Sequence, residues 1–302
     1  MDALDAALVR ALRANGRAQQ QELSVAVGTS RTTVAARLTQ LLSSGTVRVV
    51  GVVHPAARGQ QALAHLTFDV DGEVSQLADA VAADPEVAFV SVTAGRTALV
   101  AEARVGNARR LAAVVARLRS LPGARGITTL TYDRLVLDAI GPSVALVGPV
   151  VLDDADDRLL KLLQIDGRMS YTALAEQARL SVSAARLRVK RLLADGIVRV
   201  GPLLAPGVEQ EQAVGVGVRL RDSGDDVVAS LVRMPGTRFV ATATGRYDVL
   251  ATVHAGSLGA LVPILDDVRR LPGVIDVETW VHLKVVKERY DLADQPGARD
   301  AP

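Results

Sequence analysis

The sequence predicts an α+β protein in which two winged helix-turn-helix domains alternate with two ferredoxin-like βαββαβ domains. Three observations lead there: a nearly complete internal duplication, a helix-helix-helix-strand pattern opening each copy, and a strand-helix-strand-strand-helix-strand pattern closing it. "LVRALRANGRAQQQELSVAVGTSRTTVAARLTQLLSSGTVRVVGVVHP" (8–55) matches "LLKLLQIDGRMSYTALAEQARLSVSAARLRVKRLLADGIVRVGPLLAP" (159–206). Gly16 falls on Gly167, Gly45 on Gly196 and Pro55 on Pro206, each offset by 151. Downstream, Gly95 falls on Gly245 and "LPG" 121–123 on "LPG" 271–273, offset by 150, so one residue has been lost between. The expected domains are 1–55 and 152–206 (winged helix-turn-helix) and 60–140 and 210–288 (βαββαβ). A Pro- and Gly-punctuated joint lies at 139–152, and the tail 289–302, ending "DQPGARDAP", reads as disordered.

In the first unit, Leu4, Leu8 and Leu12 share a helical face, and Asn15-Gly16 is expected to end that helix. "QQQELSVAV" makes a shorter helix stopped by Gly28. Ser30 stands where an N-cap belongs, and Val34, Leu38, Leu41 and Leu42 make the buried stripe of a third helix, stopped by Ser44-Gly45. "TVRVVGVV" then alternates as a strand. The second copy repeats this, with its stripe at Ala185, Val189, Leu192 and Leu193. Arg179 replaces Gly28, so a left-handed turn there would carry strain. The βαββαβ elements of the second copy are expected near 211–220, 224–233, 237–244, 246–254, 257–270 and 274–286. Helix 107–119 buries Leu111, Val114, Val115 and Leu118; its counterpart buries Leu261, Ile264, Leu265 and Val268, with Pro263 near its first turn or at a kink. Helices cover one face of each sheet, and packing the two open faces together would cover the other.

Composition narrows the function. The 302 residues are 49% hydrophobic but only 3% aromatic, so the cores are built from Val, Leu and Ala. With no cysteine there is no disulfide, thiolate nucleophile or Cys-ligated zinc. A formal charge of +2 is close to neutral, so any nucleic-acid contact must come from local charge. The opening "MDALDAALVR" is acidic where a signal peptide is basic, and the most apolar run (139–152) is too short to span a bilayer. A soluble, cytoplasmic and nucleoid-associated protein without membrane contact is expected.

Both units in order, twice over, resemble the Lrp/AsnC (feast/famine) family of bacterial and archaeal transcription regulators across about residues 2–288. The resemblance rests on "TSRTTVAARLTQLLSSGTVRV" (29–49) and "LSVSAARLRVKRLLADGIVRV" (180–200), similar to the family's recognition helix and wing. It rests also on "TGRYDVLATV", similar to its Gly-x-Tyr/Phe-Asp hairpin. It implies double-stranded DNA and a small effector, usually an amino acid, as partners, ligand-sensing (ACT-like) βαββαβ domains, and homo-oligomerisation through them. Family members ordinarily carry one such pair of domains and dimerise; this chain looks like a dimer fused into one polypeptide.

A recognition helix enters the major groove with the side opposite its buried stripe. On the second such helix that side centres on Ser183, Leu187, Lys190 and Arg191, with Arg186 and Arg188 on the flanks, where a guanidinium meets phosphate. On the first it carries Thr32, Ala36, Thr39 and Gln40, with Arg37 on a flank and Arg31 at the helix start. The candidate DNA contacts are therefore Ser30, Arg31, Thr32, Thr33, Arg37 and Gln40 in one copy. In the other they are Ser181, Ser183, Arg186, Arg188, Lys190 and Arg191. Arg37 and Arg188 match a recurring family arginine, and a helix-surface ion pair is the other role open to either.

The candidate effector residues are Gly245, Arg246, Tyr247 and Asp248. Gly245 permits close backbone approach, Arg246 suits a carboxylate, Asp248 an α-ammonium, and Tyr247 an apolar side chain. The alternative is a structural turn, with Asp248 bonding local backbone and Tyr247 packing on the sheet. The first copy has Thr97 and Ala98 at the last two positions, so at most one family-type site per chain is expected. No cofactor, metal site or catalytic constellation is expected, since His54, His65, His254 and His282 show no metal-ligand spacing or nucleophile-base pair. Two alternatives to an effector-responsive regulator remain: a sirohaem decarboxylase, an activity found among Lrp/AsnC-like proteins, and an effector-independent DNA-architectural protein.

Overall fold

The computed structural model describes residues 1–138, 141–142, 150–205, 208 and 211–289. The expected joint lies largely, and the expected tail almost wholly, outside them. The first half runs α1 (Ala3–Ala14), α2 (Gln20–Val27), α3 (Arg31–Ser43), β1 (Val47–Val53), β2 (Ala62–Val70), α4 (Val74–Ala82), β3 (Val87–Ala94), β4 (Leu99–Val105), α5 (Ala108–Arg119) and β5 (Ala124–Asp138). The short β6 (Gly141–Pro142) follows. The second half repeats the series as α6 (Asp154–Ile165), α7 (Tyr171–Ala178), α8 (Val182–Ala194), β7 (Val198–Leu204), β8 (Gln212–Leu220), α9 (Asp225–Arg233), β9 (Thr237–Thr244), β10 (Val249–Ala255), α10 (Leu258–Arg270) and β11 (Val274–Glu288). Like segments group together: among the described residues, 1–57 with 150–208 form one compact unit, and 58–142 with 211–289 the other.

In the helical unit, α1 opens on a capping box in which Asp2 and Asp5 each accept the other's backbone N–H. Asp153 and Asp156 do the same for α6. Leu8, Leu12, Val34, Leu38 and Leu41 are buried as their spacing predicts, whereas Leu42 is exposed. The third helix therefore buries a narrower stripe than expected. Gly28 ends α2 at φ 68°, and Arg179 ends α7 in the same left-handed conformation at φ 57°. Helix α1 ends at Asn15-Gly16 as expected, and Gly16 has a second role. Asn15 is the C-cap of α1, in extended conformation, and a Cβ on Gly16 would lie 2.3 Å from the Val200 carbonyl oxygen. The glycine also allows close approach to β7.

Strands β1 and β7 pair antiparallel, Val47 opposite Leu204 and Val53 opposite Val198. Each lends a residue to the other copy's core: Val200 packs with Leu8, Val34 and Leu38, and Val53 with Leu159, Leu174 and Val189. Reciprocal arginines complete the join. Arg17 donates to the carbonyls of Gly167 (2.5 Å) and Met169 (2.9 Å), and Arg168 to those of Gly16 (2.7 Å) and Ala18 (2.8 Å).

In the other unit each βαββαβ fold is present, and two long strands join the sheets. β5 pairs first with β2 (Ala124–Thr131) and then with β9 (Thr131–Leu137); β11 pairs with β8 and then with β3. The circuit β2-β4-β3-β11-β8-β10-β9-β5 closes back on β2, so the eight strands leave no open edge between halves. Helices α4 and α5 cover one side over Leu66, Phe68, Leu77, Val81 and Leu118. On the other side Val216, Leu231, Val240 and Val268 form the equivalent core under α9 and α10. Pro263 lies in the second turn of α10, which continues through it.

The inward faces of the two sheets meet, as expected, around Val100, Leu130, Ala243, Tyr247, Leu250 and Trp280. Volume is exchanged between the copies. Across the β8–β11 pair Gly215 faces Trp280, where the equivalent β2–β5 pair has His65 facing Leu130. A Cβ on Gly215 would lie 2.1 Å from the indole, and one on Gly217 would lie 2.7 Å from the Tyr247 ring. The two glycines make room for the two rings.

Candidate nucleic-acid interface and hairpin site

The third helix of each copy is held by its own cap. Ser30 Oγ accepts from Thr33 N–H (3.1 Å) and contacts Thr33 Oγ1 (2.8 Å). Ser181 Oγ accepts from Ala184 N–H (3.2 Å) and contacts Ser183 Oγ (3.0 Å). Arg31, Thr32, Thr33 and Gln40 are exposed on α3, and Ser183, Arg186, Lys190 and Arg191 on α8.

The arginines divide into two groups. Arg188 Nη1 lies 2.7 Å from Asp153 Oδ2 and 2.9 Å from Asp156 Oδ1, and Arg191 also binds Asp156. The bond from the Asp156 N–H, and then Arg188, hold the Asp153 carboxyl below its ordinary value. In the first copy Arg37 pairs with Asp2, reaches Asp5 at 3.7 Å, and donates to Gln40 Oε1 at 3.3 Å. Of the two roles open to Arg37 and Arg188, the geometry fills the ion pair: each ties the recognition helix to the capping box of the copy's first helix. Arg186 and Lys190 have no carboxylate partner among the described residues. The Arg186 guanidinium carbon lies 5.9 Å from the centroid of the Tyr171 ring.

The Gly245–Asp248 turn is a close approach as well as a turn. Gly245 has φ 139°, and a Cβ there would lie 2.8 Å from Leu130 Cδ1. Asp248 Oδ2 accepts from the Leu220 N–H (2.7 Å), tying the hairpin to β8. Tyr247 is buried, its ring stacked 6.2 Å from that of Trp280. Burial, then its bond with Glu278, pushes its hydroxyl up to about 12. Arg246 donates to Glu278 (2.6 Å) and to the Tyr247 hydroxyl (2.9 Å). Arg96, from the equivalent turn of the first copy, approaches Glu278 from the other oxygen at 3.9 Å. Burial opposes ionisation of Glu278, but the bonds from Arg246 and Tyr247 outweigh it and its pKa is lowered. The two Gly-Arg turns thus converge on one carboxylate, which pairing within either copy does not foretell.

Inside the strand circuit lies a polar group that sequence reasoning missed. Buried Arg104 donates to Glu102 (2.5 Å) and, through both terminal nitrogens, to Asp138 (2.9 and 3.2 Å), and the Tyr132 hydroxyl donates to Glu102 (3.1 Å). Burial raises the Glu102 pKa against the pull of Arg104. His65 sits 5.6 Å from the Trp280 ring, and His282 Nδ1 lies 3.0 Å from Ser91 Oγ. Burial, with His282 adding a smaller push, lowers His65 to about 3; burial lowers His282 to about 4. Both imidazoles are neutral at pH 7. The available signal was "LVAEARV", an apolar strand with opposite charges two residues apart on one face. Among the described residues no group of three or more His, Asp or Glu could hold a metal ion. No described helix is long and apolar enough to cross a membrane.

The model of the AsnC-type helix-turn-helix domain matches residues 1–42 and 152–193, and that of the Lrp/AsnC ligand binding domain matches 61–137 and 213–292. The chain is 25% identical over 138 residues to the HTH-type transcriptional regulator LysM of Sulfurisphaera tokodaii, covering 44% of this chain and 96% of LysM. It is 32% identical over 146 residues to an uncharacterised HTH-type transcriptional regulator of Pyrococcus furiosus, covering 46% of this chain and 97% of that one. Each relative thus spans about one half of the chain. Among solved structures, the sirohaem decarboxylase NirDL matches over 95% of this chain and 93% of its own, with a TM-score of 0.65 at 15% identity. At that identity the likeness is one of fold.

Proposed function

The chain belongs to the Lrp/AsnC family, in tandem-duplicated form, and from that premise we propose that it is a sequence-specific DNA-binding transcription regulator with two unlike reading heads. One observation carries this reading: the two recognition helices share one scaffold but expose different chemistry. α8 offers Ser183, Arg186 and Lys190, while Arg191 is held by Asp156; α3 offers Arg31, Thr32, Thr33 and Gln40. A symmetric dimer reads a pseudo-palindrome, whereas these helices should select two unlike half-sites about 34 Å apart on one face of the duplex. Selection from random-sequence DNA tests this, and a clean palindromic consensus would refute it.

The effector belongs to the same proposal. With Asp248 bonded to backbone and Tyr247 buried, the chemistry left at the Gly245–Asp248 turn is Arg96, Arg246 and Glu278. That set suits a zwitterionic amino acid, its carboxylate on a guanidinium and its ammonium on Glu278. Calorimetry with a panel of amino acids should give heat that Glu278→Gln abolishes while DNA binding persists. No heat with any amino acid would favour an effector-independent architectural protein.

A second reading, a sirohaem decarboxylase, is favoured by the buried His65 and Arg104, with the half-buried His282 nearby, and by the whole-chain likeness to NirDL. An absorbance change on adding sirohaem, set against a DNA mobility shift, separates the two readings.

A further inference from the structure

We infer that Tyr171 is a positioning residue for DNA binding: its ring, anchored by Arg17 of the first copy, holds Arg186 of the second recognition helix ready for phosphate. This rests on the reading of α8 as a DNA-contacting helix. Tyr171 is the first residue of α7, directly after its N-cap Ser170, and is half-buried against the core of the second helix-turn-helix. Arg17 reaches it from the turn after α1. Its two terminal nitrogens are fixed on the Gly167 and Met169 carbonyls, and its guanidinium carbon lies 5.0 Å from the Tyr171 centroid. Arg186 approaches the same ring at 5.9 Å.

Two guanidinium groups therefore share one aromatic ring, a contact that orders an arginine without neutralising it. A carboxylate partner, like those of Arg188 and Arg191, would order the side chain but cancel the charge that phosphate needs. The element occurs once. Offset by 151, Tyr171 corresponds to Gln20 and Arg186 to Ala35, so Arg168, the counterpart of Arg17, has neither a ring to lie on nor an arginine to present. The first helix-turn-helix thus contributes to the second's affinity through a residue outside any recognition helix.

The test is binding of the full chain to a mixed-sequence duplex over a range of salt, because a phosphate contact is independent of sequence. Arg186→Ala should weaken binding and lower the log–log salt slope by about 0.9. Tyr171→Phe, which keeps the ring, should match the wild type. Tyr171→Gln should weaken binding about two- to fivefold, and in the Arg186→Ala background it should have no further effect. If Tyr171→Gln proves poorly folded by circular dichroism, Gln20→Tyr with Ala35→Arg carries the test instead, and should strengthen binding and steepen the slope. Equal weakening by Tyr171→Gln with and without Arg186, or none where Arg186→Ala does weaken, overturns the positioning role. An unchanged slope in Arg186→Ala overturns the DNA reading of α8 itself, and the positioning role with it.

Discussion

The exchange of volume between β8 and β11 can be tested at a single methyl group. Gly215 has an ordinary strand backbone, so Gly215→Ala is conformationally permitted and its effect is steric. The new Cβ would lie 2.1 Å from both Cε2 and Nε1 of Trp280 and 2.5 Å from Cζ2. Carbon atoms in contact rest about 3.5–4.0 Å apart, so the indole must recede by more than an ångström. It has little room, with His65 at 5.6 Å and Tyr247 at 6.2 Å between ring centroids. Overpacking of this kind costs about 1–3 kcal/mol, against at most about 1 kcal/mol regained from a stiffer unfolded chain. At about 2–4 °C per kcal/mol for a unit of this size, the net loss is up to about 10 °C in Tm. Trp280 is the sole tryptophan of the sequence, so its fluorescence reports on this site alone. Gly215→Ala should shift the emission to the red and lower the melting temperature followed by that signal. Gly259→Ala, whose methyl would meet only Ser257 Oγ at 3.9 Å, should do neither. An unchanged spectrum with an equal or higher Tm for Gly215→Ala would refute the argument.

Burial holds His65 near 3 and His282 near 4, below the unfolded value of about 6.5. The unfolded chain therefore takes up protons first as pH falls, and stability present above 6.5 is lost below it, by about 2 kcal/mol for His65 between pH 7 and 5. Glu102, with its pKa raised, works in the opposite sense, and His65→Gln should flatten the loss measured by denaturant titration at the two pH values. Arg188→Ala should destabilise the helical unit by about 1–2 kcal/mol while leaving the salt slope of DNA binding unchanged; Lys190→Ala should lower that slope by about 0.9 without destabilising. A lower slope for Arg188→Ala at unchanged stability would return that arginine to the DNA surface. Arg179→Gly relieves a left-handed residue and should stabilise α7 and α8 by about 0.5–1 kcal/mol, visible as slower amide hydrogen exchange in those helices.

Much of this was legible in the linear chain because the evidence is local or repeated. Helix caps at Ser30 and Ser181, buried stripes at Val34 and Val189, the left-handed stops at Gly28 and Arg179, and the βαββαβ order all follow from periodicity and short-range stereochemistry. The duplication doubled each signal and identified the recognition helices as a divergent pair. Contacts between the copies were hidden, because no spacing along the chain encodes them. Gly16 follows the stop of α1 as read, but its clearance for β7 was not visible along the chain. Arg188 had two roles open until Asp153 and Asp156 were seen within reach. His65 had no evident partner in its own strand, yet lies beside Trp280 and is influenced by His282.

The same division explains the two unlike hairpins. Sequence alone established that Tyr247 and Asp248 belong to one copy and Thr97 and Ala98 to the other. Only the tertiary structure decided why: Tyr247 enters the space that Gly217 vacates, and Asp248 binds the Leu220 N–H at the end of β8. In the first copy Thr67, which carries a Cβ, occupies the position of Gly217. Local pattern determines which elements form. Which side chains share a volume is settled only when β5 and β11 cross between the halves and close the strands, since packing density constrains pairs of residues that lie far apart in the chain.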